Sequence, residues 1–152
     1  MLNDELRLNE QLCFALYAAT HAITRSYRGM LGQLGLTYPQ YLVLLALMDQ
    51  PKMTSGALAR ALKLDAGTLT PLLKRLASAG LVSRERRADD ERVVEIQLTP
   101  AGQALHDDLL RTRRTVVCRM GLTSEGVSDL RDALHELTET LAMAGEGALE
   151  AA

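Results

Sequence analysis

Four leucines, Leu69, Leu72, Leu73 and Leu76, recur at i, i+3, i+4 and i+7 within the run Leu64-Asp65-Ala66-Gly67-Thr68-Leu69-Thr70-Pro71-Leu72-Leu73-Lys74-Arg75-Leu76. That spacing predicts a helix with one apolar stripe that has to be buried. The opposite stripe carries Gly67, Thr70, Lys74, Arg75 and Ser78. Small hydroxyl residues near a helix N-terminus, followed a turn later by two cations, suit a helix whose open face meets base edges and phosphates in a major groove. The segment therefore reads as a DNA-recognition helix, with Asp65 as its N-cap and Thr68, Thr70, Lys74 and Arg75 as contact candidates. Pro71 creates a tension, because inside a helix it removes a donor and crowds the carbonyl of Gly67. Either the helix bends there or its regular part begins at Thr70.

The flanks agree with this reading. Ser55 to Leu62 forms a shorter amphipathic helix, capped by Thr54 or Ser55 and burying Leu58, Ala59 and Leu62, and Lys63-Leu64-Asp65 turns the chain into the next helix. This is helix-turn-helix spacing. After Gly80, a C′ glycine, Leu81 to Arg87 reads as a strand, Ala88-Asp89-Asp90-Glu91 as a turn and Arg92 to Leu98 as a returning strand. Val94, Ile96 and Leu98 alternate with Val93, Glu95 and Gln97, so one face of the hairpin packs and the other is wet. The hairpin makes a wing. A winged helix used only for protein contacts stays open from these residues alone.

Charge favours nucleic acid over that alternative. The 152-residue chain has a net charge of only −2. From Arg60 to Arg87, however, seven cations face two acids, and from Thr123 to the end seven acids face one cation. Basic residues thus concentrate where a groove would be met, and acid lies elsewhere. Asp4, Glu5, Arg7 and Glu10 interrupt any apolar run at the N-terminus, and Tyr41 to Met48 is too short to span a bilayer, so a cytoplasmic protein without membrane contact is expected.

The remaining segments read as helices: Glu5 to about Leu34, weakened by Gly29 and Gly32 and stopped by Gly35; Thr37 to Pro51, with Pro39 in its first turn; Thr99-Pro100 to Met120, broken by Gly121; and a last helix from Thr123-Ser124-Glu125 carrying Val127, Leu130, Leu134, Leu137 and Leu141. Ala144 to Ala152 reads as a loose tail. A lone winged helix needs no such flanks. The fold class expected is mainly α with a small β wing: residues 37–99 form a winged helix-turn-helix lobe, and residues 1–36 and 100–146 form a dimerisation bundle. A two-fold dimer would set its recognition helices roughly 34–36 Å apart on an inverted repeat.

Two cysteines in such a chain suggest no constitutive structural disulfide. Cys13 is either a small packing residue or a reactive thiol. Tyr17 lies one turn along the same face, and all four tyrosines, Tyr17, Tyr27, Tyr38 and Tyr41, fall between positions 17 and 41. Phenol hydroxyls donated to a sulfur would favour its thiolate, although each tyrosine could equally be an ordinary packing residue. Cys118, beside Val116, Val117 and Met120, reads alone as half-buried packing. His21, His106 and His135 lack ligand spacing, and neither a metal nor a cofactor is expected.

Two resemblances sharpen this picture. Leu81-Val82-x-Arg84, Asp90-x-Arg92 and Leu98-Thr99-x-x-Gly102 resemble the winged-helix signature of MarR-type transcriptional regulators across nearly the whole chain. Leu12-Cys13-Phe14-Ala15-Leu16-Tyr17, Tyr27-Arg28, Leu36-Thr37-Tyr38-Pro39-Gln40-Tyr41 and the run from Gly67 to Leu76 are similar to the OhrR-type, organic-hydroperoxide-sensing branch. The resemblance implies a homodimeric repressor in which Cys13 is the peroxide-reacting thiolate. Tyr27 and Tyr38 would reach it from the other subunit, with Tyr17 completing the pocket. It further implies the two-cysteine class, with Cys118 closing an intersubunit disulfide on oxidised Cys13. On the DNA side it implies that Arg92 enters the minor groove with Asp90 orienting it; the residues themselves make Arg84 a candidate for phosphate and Pro71 a candidate for contact with a thymine methyl. Arg86 and Arg87 are either phosphate contacts or solvated strand charges. Two rivals remain: a MarR-type repressor answering to a reversibly bound aromatic ligand, and a thiol peroxidase turning over on Cys13.

Overall fold

The computed structural model describes residues 6–150, with side chains to residue 144. The chain divides into two units at Val116/Val117.

In the first unit a 3-10 turn, Leu8–Glu10, is followed by Gln11 in an extended conformation. Helix α1 is Leu12–Gln33, shorter at its start than the predicted helix, whose first residue, Glu5, lies outside the described residues. Gly35 stops it at a φ of 69°, where a side chain would be strained, and the Leu36 N–H returns to the Leu31 carbonyl at 2.9 Å. Helix α2, Tyr38–Asp49, is entered through Thr37, whose N–H donates to Gln40 Oε1 at 2.8 Å. Tyr41, Val43, Leu44 and Leu47 are buried, which makes α2 the central helix of the unit.

Three residues beyond Pro51 form a strand that the sequence pattern did not signal. β1, Lys52–Thr54, pairs antiparallel with β3, setting Met53 opposite Ile96. Helix α3, Ser55–Leu62, is capped by Thr54, whose hydroxyl oxygen accepts from the Ala57 N–H. Lys63, in the left-handed region at φ 55°, then reverses the chain, and the Leu64 N–H bonds back to Ala59 O. Helix α4, Ala66–Ser78, runs unbroken through Pro71 and buries Leu69, Leu73 and Leu76. Gly80 ends it at φ 73°.

Strands β2, Val82–Arg86, and β3, Val94–Leu98, complete a sheet of order β1-β3-β2. Both are shorter than predicted. Arg92 and Val93 belong to the turn, since their N–H groups bond to the side chain and carbonyl of Asp90. Ile96, Leu98 and Val82 face inward and Gln97 is exposed, as the alternation requires.

The chain leaves the wing through a tight junction. Thr99 Oγ1 donates to Gly80 O at 2.5 Å and accepts from the Gly102 N–H at 3.1 Å, while the Thr99 N–H donates to Leu81 O at 3.1 Å. A Cβ on Gly102 would sit 2.1 Å from Leu81 O, so only glycine fits. Helix α5, Pro100–Ala104, starts here. The single helix predicted from Pro100 to Met120 is in fact broken at Leu105, where the N–H bonds to Gly102 O in a 3-10 turn; α6, His106–Arg119, follows.

The second unit holds the end of α6, a turn at Gly121 (φ 67°) and α7, Ser124–Glu150. The Thr123 hydroxyl oxygen accepts from the Gly126 N–H. The predicted loose tail from Ala144 is helical as far as Glu150, and its last two residues lie outside the described residues. None of the described side chains of α7 is buried, and Leu130, Leu141 and Met143 are exposed. Among the described residues no single helix is long and apolar enough to cross a membrane.

Candidate nucleic-acid interface and thiol site

The open face of α4 takes its shape from Asp65. Asp65 Oδ1 accepts from the Thr68 N–H at 2.8 Å, and Oδ2 accepts from the Thr68 hydroxyl at 2.8 Å. These two bonds hold the carboxyl below its usual pKa, so a fixed negative charge caps the positive end of the helix. Ala66, Gly67, Thr68, Thr70, Pro71, Lys74 and Arg75 are all exposed on this helix. Continuity through Pro71 resolves the sequence ambiguity. The Thr70 hydroxyl donates to Ala66 O at 2.8 Å.

The wing carries the second cationic surface. Arg92 is 92% exposed, and one oxygen of Asp90 accepts from both its N–H and its Nε, each at 3.1 Å. That carboxylate aims the guanidinium from the turn. Arg84 is exposed on β2, opposite Ile96 in the register. Arg86 and Arg87, left open above, are engaged by the wing itself: Arg86 Nη1 donates to Glu91 O at 3.0 Å, and Arg87 forms a fork with the Asp89 carboxylate at 2.9 and 2.5 Å. The fork raises the Arg87 pKa and lowers that of Asp89.

The tyrosines divide into two groups. The rings of Tyr27 and Tyr38 lie 5.1 Å apart, and Tyr41 joins them at 5.2 Å from Tyr27 and 5.8 Å from Tyr38. Burial, and secondarily the neighbouring Tyr27, raises the pKa of Tyr38 and Tyr41, so both phenols keep their protons and remain donors. The sequence reading names only Tyr17, Tyr27 and Tyr38 for the pocket; the i+3 spacing of Tyr41 from Tyr38 on a helix is the signal that adds it to this cluster. Beside this cluster opens a cleft of about 440 Å³ lined by Thr24, Arg28, Gly32, Leu36, Thr37, Tyr38 and Pro39.

Tyr17 is elsewhere in the chain: its ring packs on His21 at 4.4 Å and Phe14 at 6.4 Å and is 62% exposed. Among the described residues the first half of α1 is largely uncovered, with Leu12 61% exposed and Cys13 a free, exposed thiol. Cys118 is likewise free and exposed, against the expectation of half-buried packing. Among the described residues no phenol of the same chain donates to Cys13 Sγ. No cluster of three or more His, Cys, Asp or Glu among them is arranged to hold a metal ion.

Comparison with known proteins settles the family. Residues 25–109 match the family model described as transcriptional regulator SarA/Rot. The organic hydroperoxide resistance transcriptional regulator of Bacillus subtilis is 41% identical over 138 residues, covering 91% of this chain and 94% of that protein. The chain is an OhrR-type member of the MarR family of transcriptional regulators. The HTH-type transcriptional regulator TtmR of Methylorubrum extorquens is 44% identical over 151 residues, which is 99% of this MarR-family chain and 77% of that relative. Among solved structures, reduced AbfR bound to DNA, a protein of Staphylococcus epidermidis, is 35% identical and superimposes with a TM-score of 0.79 over 95% of this chain and 99% of that one. Its disulfide-formed state superimposes with a TM-score of 0.66 over 89% and 95%. The DNA-binding, winged-helix character expected from the sequence is that of this family.

Proposed function

We propose that this protein is a homodimeric repressor that binds an inverted-repeat operator when reduced and releases it when an organic hydroperoxide oxidises Cys13. The observation that carries the reading is the placement of Cys13: a free, exposed thiol on the largely uncovered apolar half of α1, in a chain whose Tyr38, packed on buried Tyr27, lines an open cleft. Pairing two copies through residues 1–36 and 100–146 brings Cys13 and Tyr17 of one subunit to Tyr27 and Tyr38 of the other. It also removes exposed apolar side chains such as Leu12, Leu130 and Leu141 from water. Protonated phenols then donate to the Cys13 sulfur and favour its thiolate.

The chemistry balances in two steps. The thiolate attacks the distal oxygen of ROOH and the O–O bond breaks; that oxygen stays on the Cys13 sulfur with its hydrogen as a sulfenic acid, and the alkoxide takes a proton from solvent and leaves as ROH. The thiol of Cys118 in the second copy then attacks that sulfur, water leaves and an intersubunit disulfide forms. Closing the bond requires the helices to move, which changes the spacing of the two DNA-binding lobes. In the reduced state Gly67, Thr68, Thr70, Pro71, Lys74 and Arg75 face the major groove, Arg92, held by Asp90, enters the minor groove, and Arg84 meets phosphate. Asp65 acts by fixing the helix start. The likeness to the reduced, DNA-bound form of AbfR, and to a relative named for organic hydroperoxide resistance, supports this assignment.

The test is a non-reducing denaturing gel run beside a DNA-binding assay on wild type, Cys13→Ser and Cys118→Ser after about one equivalent of cumene hydroperoxide. The expected result is a covalent dimer and DNA release in wild type alone, both reversed by dithiothreitol, with Cys13→Ser bound to DNA throughout. DNA release by peroxide in Cys13→Ser would overturn the proposal.

A further inference from the structure

We propose that the exposed first half of α4 reads thymine methyl groups and rejects guanine, because it offers a major groove no free side-chain hydrogen-bond donor. The inference rests on α4 being the recognition helix and specifies what that helix recognises.

A hydroxyl has one hydrogen to give. That of Thr68 goes to Asp65 Oδ2 and that of Thr70 goes to the Ala66 carbonyl, both at 2.8 Å. Pro71 has no N–H, and Ala66 and Gly67 have no polar side-chain atom. All five of these residues are exposed. What remains to meet a base is the methyl groups of Ala66, Thr68 and Thr70, the Pro71 ring, lone pairs on two hydroxyl oxygens, and the Asp65 carboxylate, held negative by its Thr68 bonds.

In the major groove guanine shows only acceptors, N7 and O6, whereas an A·T pair shows the adenine N6 donor and the thymine methyl. An acceptor-rich surface set against guanine leaves both partners desolvated and unpaired, which disfavours guanine at the base this face meets, the cytosine N4–H2 being the only donor that a G·C pair shows in this groove. Against A·T the same surface matches methyl to methyl and oxygen to N6–H. The nearest side-chain donors along this face are Lys74 and Arg75, a turn further on, so contacts to guanine or phosphate fall to the second half of the helix.

The experiment begins with selection of duplexes from a random library by the reduced full-length protein. The selected consensus is then resynthesised with deoxyuridine replacing thymidine one position at a time, which removes only the 5-methyl group. Binding is read by fluorescence anisotropy at fixed salt. At least two thymines per half-site are expected to lose about three- to fivefold in affinity on conversion to uracil, the scale of one buried methyl group. Thr70→Ser, which keeps the hydroxyl and deletes the methyl, is expected to bind thymine and uracil equally at one of these positions, and Pro71→Ala at another.

Less than twofold loss at every position would overturn the proposal. So would guanine selected at the positions whose preference responds to Thr70→Ser or Pro71→Ala. A protein that selects no sequence at all would overturn the recognition-helix reading itself, a different failure from a helix that selects but ignores methyl groups.

Discussion

Adding one methyl group at Gly102 tests the junction between the wing and α5. In most helix positions glycine to alanine stabilises by about 0.5–1 kcal/mol. Here the sign reverses. The new Cβ would sit 2.1 Å from Leu81 O and 3.1 Å from Leu98 Cδ2, whereas carbon and carbonyl oxygen settle at about 3.3–3.6 Å. The two backbones must part by more than an ångström. Overpacking of this kind costs about 1–3 kcal/mol. The displacement also strains the Thr99–Leu81, Thr99–Gly80 and Gly102–Thr99 hydrogen bonds, each contributing about 1 kcal/mol. A loss of about 3–5 kcal/mol follows, and at about 2–4 °C per kcal/mol for a chain of this size Tm falls by about 6–20 °C. The assay is thermal unfolding followed by far-ultraviolet circular dichroism, at one protomer concentration because the chain is proposed to dimerise. Gly56→Ala is the control, since its Cβ meets only Arg60 Nη1 at an ordinary 3.7 Å and should leave Tm unchanged or slightly raised. A Gly102→Ala protein that melts at or above the wild-type temperature would refute the reasoning.

Two further outcomes follow from the interface geometry. Arg92→Ala removes a 92% exposed side chain that bonds to Asp90, so Tm should stay within about 1 °C, while DNA affinity falls across all sequences and the slope of log K against log salt drops by about 1; an unchanged slope would take Arg92 off the DNA. Asp65→Asn should destabilise the protein at neutral pH relative to wild type. Because the folded pKa of Asp65 is lowered, its contribution is complete above the ordinary carboxylate value of 3.8 and is lost as pH falls through the folded value, so the difference between the two proteins should close only in acid below 3.8. Urea unfolding across that range is the measurement, and a difference that is constant with pH would remove the charge from the explanation.

Local chemistry made much of this fold legible. The Leu69–Leu76 spacing, the cap at Asp65, the glycines at 35, 80 and 121 and the Thr99-Pro100 start each act within a few residues, and each stands where the sequence placed it. Non-local chemistry was not legible. Lys52-Met53-Thr54 is too short to show alternation and is a strand only because β3 pairs with it. The Leu105 break arises from a 3-10 bond that leaves no pattern in the residues. At the thiol site, sequence named Cys13, Tyr17, Tyr27 and Tyr38 together, yet one chain unites only Tyr27 and Tyr38. The apolar half of α1 has a helical pattern like any core helix, and nothing in that pattern says that its cover is absent from its own chain. The fate of the Thr68 and Thr70 hydroxyl hydrogens depends on rotamers, which residue types do not specify.

The short strand β1 has a consequence beyond closing a sheet. It ties the entrance of the helix-turn-helix to the returning strand of the wing, with Lys52 and Glu95 paired at 2.5 Å across it, while Thr99 fastens the exit to Gly80, just past the end of α4. Residues 52–99 are thus sewn shut at both ends and travel as a cassette. Under the proposed function such a cassette separates an address from a trigger: substitutions at positions 66 to 71 would re-address the protein without altering the chemistry at Cys13, and changes around Cys13 would retune the trigger without moving the address. Descent with modification could then work on the two independently.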